Sequence, residues 1–354
     1  MTTAPERVLG GAAHDLAALP EAALSRIEAT DHLYASRRWL AVEEQVAGVP
    51  PLYVWSPGGG FAAAYHFDER SNPWPIARLD LFLEALERPS ADVLPCYLLG
   101  GRRPGHSRFL VDDGPGRAGA LTSLVGTAAE AAADLGAATV AALYCDDSDT
   151  DLAAAFQSHG GIRVPSHATY RLDLPGSSLE DWLGSLPRKQ RYKELADVRK
   201  LDEAGVSYDV RPLTEADVEW IVPLELGLYH KYGNDYRSSE AAGLHRAYLS
   251  CIGEDAVLVE ARRDGDRVGF ASVVRHGTTA FVRQAGFDDE ATAGAPVYFG
   301  AVFHAVIKWA GEAGVRSLDL SISSGQVKQR RGAAELARSA WIVPLTAAAR
   351  RTLG

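Results

Sequence analysis

A layered α/β fold, α+β in its order of elements, is predicted for this chain of 354 residues, in two lobes of matching plan. Three observations predict it. Residues 256–263, 267–275 and 279–285 are apolar-rich runs separated by Asp264-Gly265 and His276-Gly277. Such pairs favour tight hairpins because glycine accepts positive φ, so the runs read as an antiparallel meander. A helical segment at 296–313, stopped by Gly314, then leads to another strand at 315–322. The first half repeats this order at 93–111, 117–135 and 139–144. The repeat lies in the order of elements, with no visible repeat in sequence. A meander joined to a further strand through a helix gives a mixed, mostly antiparallel sheet flanked by helices.

In chain order, roughly the first 25 residues are rich in Ala, Pro and Gly and are expected to be loosely held. Residues 36–47 form a helix, with Trp39, Leu40, Val42 and Glu43 at helical spacing. Strands at 51–56 and 61–67 flank the turn Pro57-Gly58-Gly59-Gly60. A short helix at 80–86 precedes a strand pair at 93–100 and 107–111, joined by Gly100-Gly101-Arg102-Arg103-Pro104-Gly105. The Ala-rich helix 117–135 stops at Gly136. A buried strand at 139–144, a helix at 149–159 ended by Gly160-Gly161, and an extended strand at 166–174 complete the first lobe. Ser177-Ser178-Leu179-Glu180 reads as a capping box opening a helix at Leu179. A basic helix at 187–204 closes at Gly205, followed by a strand at 206–211, a helix at 214–232 signalled by Thr214 and Asp217, and a helix at 240–251. The domain boundaries expected are 1–175 and 176–354.

Hydrophobic residues make up 47% and charged residues 23%, enough for an ordinary core. No apolar run approaches the ~20 residues needed to span a bilayer. Residues 1–6 lack the basic and apolar pattern of a secretory leader. The three cysteines, Cys96, Cys145 and Cys251, are odd in number and far apart, which suits reduced thiols in a cytoplasmic protein. Net charge is −10, which excludes coating of nucleic acid and argues against a DNA partner. Yet Arg188, Lys189, Arg191, Lys193, Arg199 and Lys200 crowd one short segment, against only Glu194 and Asp197. A local basic surface on an acidic chain suits a limited interface with an anionic partner. Several chemistries are missing. No HExxH or similar spacing offers a metal site, no GxSxG a serine nucleophile, and no GxGxxG or P-loop a nucleotide site, so no metal or cofactor is expected.

The most informative stretch is Ser323-Ser324-Gly325-Gln326-Val327-Lys328-Gln329-Arg330-Arg331-Gly332, directly after the strand 315–322. It reads as a polar loop at a strand end. There a lysine can be aimed at a developing negative charge, although a solvated basic turn would look the same. Arg331 offers a two-pronged grip on phosphate or carboxylate that lysine lacks. Asp319 alternates with Leu318 and Leu320, so it faces away from them, as an orienting base or as a structural salt-bridge partner.

The meander, helix and splayed strand resemble the acyltransferase fold of the GNAT superfamily. Two copies, with a basic helix opening the second, resemble the FemAB-like tandem proteins. Leu186-Pro187-Arg188-Lys189-Gln190-Arg191-Tyr192-Lys193 through Gly205-Val206 is similar to that family's basic helix. Gly325-Gln326-Val327-Lys328-Gln329-Arg330-Arg331-Gly332 is similar to its closing element. The resemblance covers the second half well and the first half by plan. It implies two tandem GNAT-like domains and an amide-forming acyltransferase. Lys328 and Asp319 would be catalytic, the lysine stabilising the oxyanion. Arg331, Arg188, Lys189, Arg191 and Tyr192 would bind the anionic parts of substrate, and Tyr229 and Tyr236 would lie near the acceptor. Two departures bear on the substrates. The helical-hairpin insertion common in cell-wall enzymes is not visible. The position where GNAT enzymes bind the coenzyme A pyrophosphate is Phe287-Asp288-Asp289-Glu290-Ala291-Thr292-Ala293-Gly294-Ala295, which is acidic and lacks the (Q/R)xxGx(G/A) pattern.

The expected donor is therefore the acceptor end of an aminoacyl-tRNA, and the expected acceptor a small-molecule amine. The Ala-, Arg- and Gly-rich, Lys-poor composition resembles that of high-GC bacteria, where transferases of the family it resembles also tailor natural products, and with the cell-wall insertion not visible the resemblance implies natural-product biosynthesis. The alternatives are an acyl-CoA or carrier-protein thioester as donor, a peptidoglycan precursor as acceptor, or a binding protein without catalysis.

Overall fold

The computed structural model describes residues 10–57, 60–72 and 74–354. Residues 1–6, read for a leader, and Gly58 and Gly59 of the glycine turn lie outside them. Strands β1 (Gly11–Ala13), β2 (Leu52–Trp55), β3 (Phe61–Phe67), β4 (Cys96–Leu99), β5 (Thr139–Asp146) and β6 (Ile162–Pro165) belong to one sheet. Strands β7 (Thr169–Asp173), β8 (Val206–Pro212), β9 (Ala256–Arg263), β10 (Asp266–His276), β11 (Thr279–Phe287), β12 (Ser317–Asp319) and β13 (Ala334–Leu336) build a second. Strand β14 (Arg338–Pro344) returns to the first. The orders are β1-β2-β3-β4-β5-β14-β6 and β13-β7-β12-β11-β10-β9-β8. Each sheet has one parallel pair, β4 with β5 and β11 with β12, spanned by a crossover helix; the other ladders are antiparallel. The mixed, mostly antiparallel sheets and their shared plan are as predicted.

The division differs from the one expected at residue 175. The compact units are the chain up to His167 together with Ala337–Gly354, and Ala168–Leu336. Strand β7 pairs with both β12 and β13, so it belongs to the second unit. Strand β14 fills the gap between β5 and β6. The cause is burial. Seven of the eight residues of β5 are buried, so the strand needs partners along both edges, and β14 brings Ala340, Trp341, Ile342 and Val343 into the same core.

The N-terminal segment from Gly11 is also better held than expected. Residues Gly11–Ala13 pair with β2, and the helix Glu21–Ala29 buries Ala23 and Ile27. Residues 107–111 form no ladder and contribute a single bridge, from Leu110 to Phe61. In the first unit the helix Arg117–Asp134 packs Leu121, Leu124, Val125 and Ala128 on the sheet residues Val54, Ala62, Ala64 and Val140.

The meander of the second unit follows its turn chemistry. Asp264 and Gly265 both take positive φ, 53° and 94°, between the paired residues Arg263 and Asp266. Gly277, at φ 57°, opens the two-residue turn between His276 and Thr279. The helix at Leu179–Ser185 is capped one residue later than expected, by Ser178 with Asp181. Behind the sheet lie Trp182, Leu183, Phe303, Val306 and Ile307. The helix after β11 is not uniform: Gly300–Ala305 is a π-helical turn between Val297–Phe299 and Val306–Glu312.

Candidate active site

The expected strand 315–322 ends early, at Asp319, and the expected loop is a five-residue helix, Gly325–Gln329. Between them Ser321, Ser323 and Ser324 take left-handed φ of 59°, 66° and 50°. For a residue with a Cβ this conformation costs roughly 1–2 kcal/mol each, so something must hold it. Lys328 does. Its side chain is turned inward, 7% exposed, and Nζ donates to the carbonyl oxygens of Leu320 and Ile322, each at 2.5 Å. The ammonium also lies 5.3 Å from the centre of the Tyr170 ring. Tyr170 in turn has its hydroxyl on Glu335, and its backbone N–H on Ser321. Burial pushes the lysine down to about 8, with the charge of Asp319 acting against the fall.

Asp319 is the last residue of β12 and is also 7% exposed. Its Oδ1 accepts the N–H of Ser321 at 2.9 Å. The two residues expected to be catalytic are therefore brought together around one strained serine loop.

Arg331 departs from the expectation that it grips substrate. It is 3% exposed and faces the interior. Its Nη2 lies 3.2 Å from Glu194 and 3.7 Å from Asp197, and its guanidinium stacks 3.8 Å from the Phe299 ring. Its carbonyl accepts the indole N–H of Trp182. A guanidinium so enclosed ties the basic helix to the core. Loop-like spacing in the sequence hides this, because the acidic partners lie more than 130 residues upstream.

The basic helix runs Arg188–Glu203 and buries Glu194, Asp197 and Leu201. Its opposite side carries Arg188, Lys189, Tyr192, Lys193, Arg199 and Lys200, all exposed, with Arg191 half-buried. Among the described residues, Arg188, Lys189, Arg191, Lys193 and Lys200 have no ionic partner. Tyr192 is 68% exposed, with Arg199 stacked 5.9 Å from its ring centre. Tyr229 and Tyr236 touch, ring centres 4.7 Å apart, with Tyr236 buried. They stand on a different segment from Lys328, at the end of the helix Glu215–Lys231 and just beyond it.

A second polar cluster in the unit escaped sequence reasoning. Glu225 and His245 are fully buried, Nε2 to Oε2 at 2.7 Å. Nearby Gln284 accepts from Tyr248 and Ser272 where the β10–β11 register slips. Gly286 permits this packing, since a Cβ there would lie 2.4 Å from the backbone of Leu224. Single, widely spaced residues give no motif to find.

The segment between β11 and the next helix has its own acidic chemistry. Asp288 Oδ1 accepts the N–H groups of Glu290 and Ala291, each at 2.9 Å. The N–H groups of Thr292, Ala293 and Ala295 go to backbone carbonyls of the same segment, and Asp289 pairs with Lys231. No group of acidic, His or Cys residues suited to a metal occurs among the described residues, and no helix of them is long and apolar enough to cross a membrane.

Comparison with known proteins agrees with this layout. Residues 188–329 match the family described as an acetyltransferase (GNAT) domain. Among curated proteins none matches the chain in sequence. Among solved structures, FemX is 12% identical, with 91% of this chain and 95% of that one covered at a TM-score of 0.63. The C-terminal domain of a protein assigned as a lysylphosphatidylglycerol synthetase, from Agrobacterium fabrum, is 14% identical, with 94% of each chain covered and a TM-score of 0.56. A tandem GNAT protein from the clavulanic acid biosynthesis pathway, solved without AcCoA, is 17% identical, with 95% and 98% covered and a TM-score of 0.55. At these identities the likeness is one of fold. The two sheets are tandem GNAT-like domains, and with the family match to the second unit they define a GNAT-type acyltransferase.

Proposed function

We propose that the chain transfers an aminoacyl group from the 3′ end of an aminoacyl-tRNA to the amine of a small acceptor, forming an amide, in the making of a specialised metabolite. One observation carries the choice of donor. The segment where a GNAT enzyme would cradle a pyrophosphate spends most of its backbone donors on Asp288 and on its own carbonyls, and presents Asp288, Asp289 and Glu290. An anion there would meet carboxylates and few open N–H groups, which is unfavourable both as charge and as hydrogen bonding. The partnerless cations of the basic helix offer the opposite, a surface for phosphates, with Tyr192 placed to stack on a base.

In the step proposed, the acceptor amine attacks the ester carbonyl. The C–N bond forms, the C–O bond to the ribose breaks, and the amine proton passes by way of Asp319 to the departing ribose oxygen. Lys328 has given two N–H bonds to carbonyls, and the third is directed to the tetrahedral oxyanion. Arg188, Lys189 and Arg191 hold the tRNA backbone, and Tyr229 and Tyr236 border the acceptor. The FemX and lysylphosphatidylglycerol synthetase folds favour this reading. The fold from the clavulanic acid pathway favours a metabolite as acceptor.

The test is mass spectrometry of products after incubation with charged tRNA pools and candidate amines, with and without ribonuclease. Amide formation that ribonuclease abolishes is the expected result. Amide formation from purified acyl-CoA that survives ribonuclease overturns the choice of donor.

A further inference from the structure

Lys328 holds the left-handed serines, but Lys328 itself needs holding. An ammonium prefers water, and here burial works against its charged form, opposed by the charge of Asp319. The helix that carries it, Gly325–Gln329, has five residues, too few to be stable alone. The tie comes from the turn that follows. Arg331 stands three residues beyond Lys328, and its N–H donates to the Lys328 carbonyl at 2.9 Å. The N–H of Ala333 donates to the same carbonyl at 3.1 Å, and Gly332 between them takes a φ of 88°. Arg331 Nη1 donates to the Val327 carbonyl at 3.3 Å, inside the lysine's own helix. One short turn thus carries two buried cations with different anchors. The lysine reaches the Leu320 and Ile322 carbonyls, and the arginine reaches the basic helix.

The arginine's anchor is itself fixed. Glu194 is 3% exposed, with Oε1 3.2 Å from Arg331 Nη2 and Oε2 3.0 Å from His304 Nε2. Both oxygens are engaged, so the carboxylate cannot turn without losing one of them. Asp197, three residues along the same helix, adds a second negative charge at 3.7 Å. Phe299 and Phe303 close on the guanidinium at 3.8 and 5.0 Å, and the Trp182 indole holds the Arg331 carbonyl at 3.0 Å. A buried ion pair seldom stabilises a fold more than apolar side chains of the same size would, so its presence points to a need for one fixed geometry. The geometry fixed here is that of the turn bearing Lys328.

We propose that Arg331, clamped by Glu194, is a positioning residue: it locks the turn that aims Lys328 inward and acts on amide formation through that lysine. The effect on rate rests on the catalytic role proposed for Lys328 above; the effect on the lysine's placement does not. The outer face of the basic helix carries cations for a phosphate-bearing partner, and its inner face, through Glu194, sets the lysine.

The test is urea unfolding of the full chain at pH 7 and pH 10, each protein being compared with its own Lys328→Met counterpart. No substrate is present, so the outcome is independent of the donor and acceptor. With the lysine buried, the wild type should gain on K328M by about 70-fold in the folding equilibrium constant as pH rises. Arg331→Met alone would strand a buried carboxylate, so the variant used is R331M/E194Q, which removes both charges and leaves His304 a partner. With Lys328 released to solvent, its gain should shrink to about threefold or less. Gly286→Ala, which weakens the same unit elsewhere, should keep the full gain. In amide formation from charged tRNA, R331M/E194Q should lower kcat by roughly 10–10²-fold with KM for tRNA unchanged, and should lower it no further in K328M. A gain that survives in R331M/E194Q, a gain that G286A also loses, or a wild type without one overturns the proposal. Loss of the gain with an unaltered kcat upholds Arg331 as the anchor of Lys328 and refutes instead the catalytic role given to the lysine.

Discussion

The buried ammonium of Lys328 makes a prediction whose sign is set by the structure. Its ordinary value of 10.5 falls to about 8 because burial penalises the charged form more than Asp319 supports it. Between these two values the unfolded chain binds more protons at this residue than the folded chain. Stability therefore rises with pH across that window, and the cost of burying the charge is fully present below 8. From pH 7 to pH 10 the gain is about 2.5 kcal/mol. Other groups titrate in the same range, so the quantity to measure is a difference. Lys328→Met keeps the unbranched shape and removes the charge. Urea unfolding of both proteins at pH 7 and pH 10, followed by tryptophan fluorescence, should show the wild type gaining about 2.5 kcal/mol on the variant as pH rises. A wild type that gains nothing on the variant as pH rises, or loses ground to it, would mean that the Leu320 and Ile322 carbonyls outweigh burial, and the reasoning would fail. The same deprotonation removes the positive charge from the oxyanion site. Amide formation by the wild type should therefore decline above pH 8, and at pH 7 K328M should be slower by on the order of 10²–10³-fold.

Three further outcomes are expected. Reversing Arg188, Lys189 and Lys193 to glutamate should weaken tRNA binding and lower the slope of log affinity against log salt by about 0.7–0.9 for each phosphate no longer neutralised, with the thermal midpoint unchanged; an unaltered slope counts against the basic helix as the tRNA surface. Gly286→Ala should destabilise the second unit by roughly 1–3 kcal/mol or more in denaturant titration, because its Cβ would meet Leu224 and Glu225 backbone atoms at 2.4–2.6 Å, where no side chain can swing away. In the first unit Glu43 is 1% exposed; burial raises its carboxyl, but Arg102 and Arg103 outweigh this and hold it at about 2, below the usual 4.5. Its contribution, about 3 kcal/mol, is present above pH 4.5 and is lost as pH falls through 2, so Glu43→Gln should flatten the acid limb of a stability–pH curve.

The meander was legible because its turns are local: Asp264-Gly265 and Gly277 determine where the strands end, and the structure moves those ends by at most two residues. The basic helix was legible for the same reason, between Pro187 and Gly205. What was hidden depends on distant partners. Residues 320–322 read as the end of the strand, but Lys328 draws the Leu320 and Ile322 carbonyls toward itself, and Ser321, Ser323 and Ser324 turn left-handed. Arg331 reads as a loop arginine until Glu194, Asp197 and Phe299 close around it. Glu225 and His245 are 20 residues apart with nothing between them to suggest a pair. At this strand end, then, the closeness of Lys328 and Asp319 could be read from their positions, whereas the inward direction of the lysine and of Arg331 could not.

The path of β14 has a consequence for synthesis. The second unit is continuous from Ala168 to Leu336, whereas the first is interrupted by it and regains its missing strand only at Arg338–Pro344. A ribosome releasing this chain thus delivers every strand of the later-encoded unit before the earlier one is complete. Until Trp341 and its neighbours emerge, β5 and β6 wait with bare main-chain edges, one of them strongly apolar, and the half-built N-terminal sheet is the nascent chain's period of greatest exposure to mispairing.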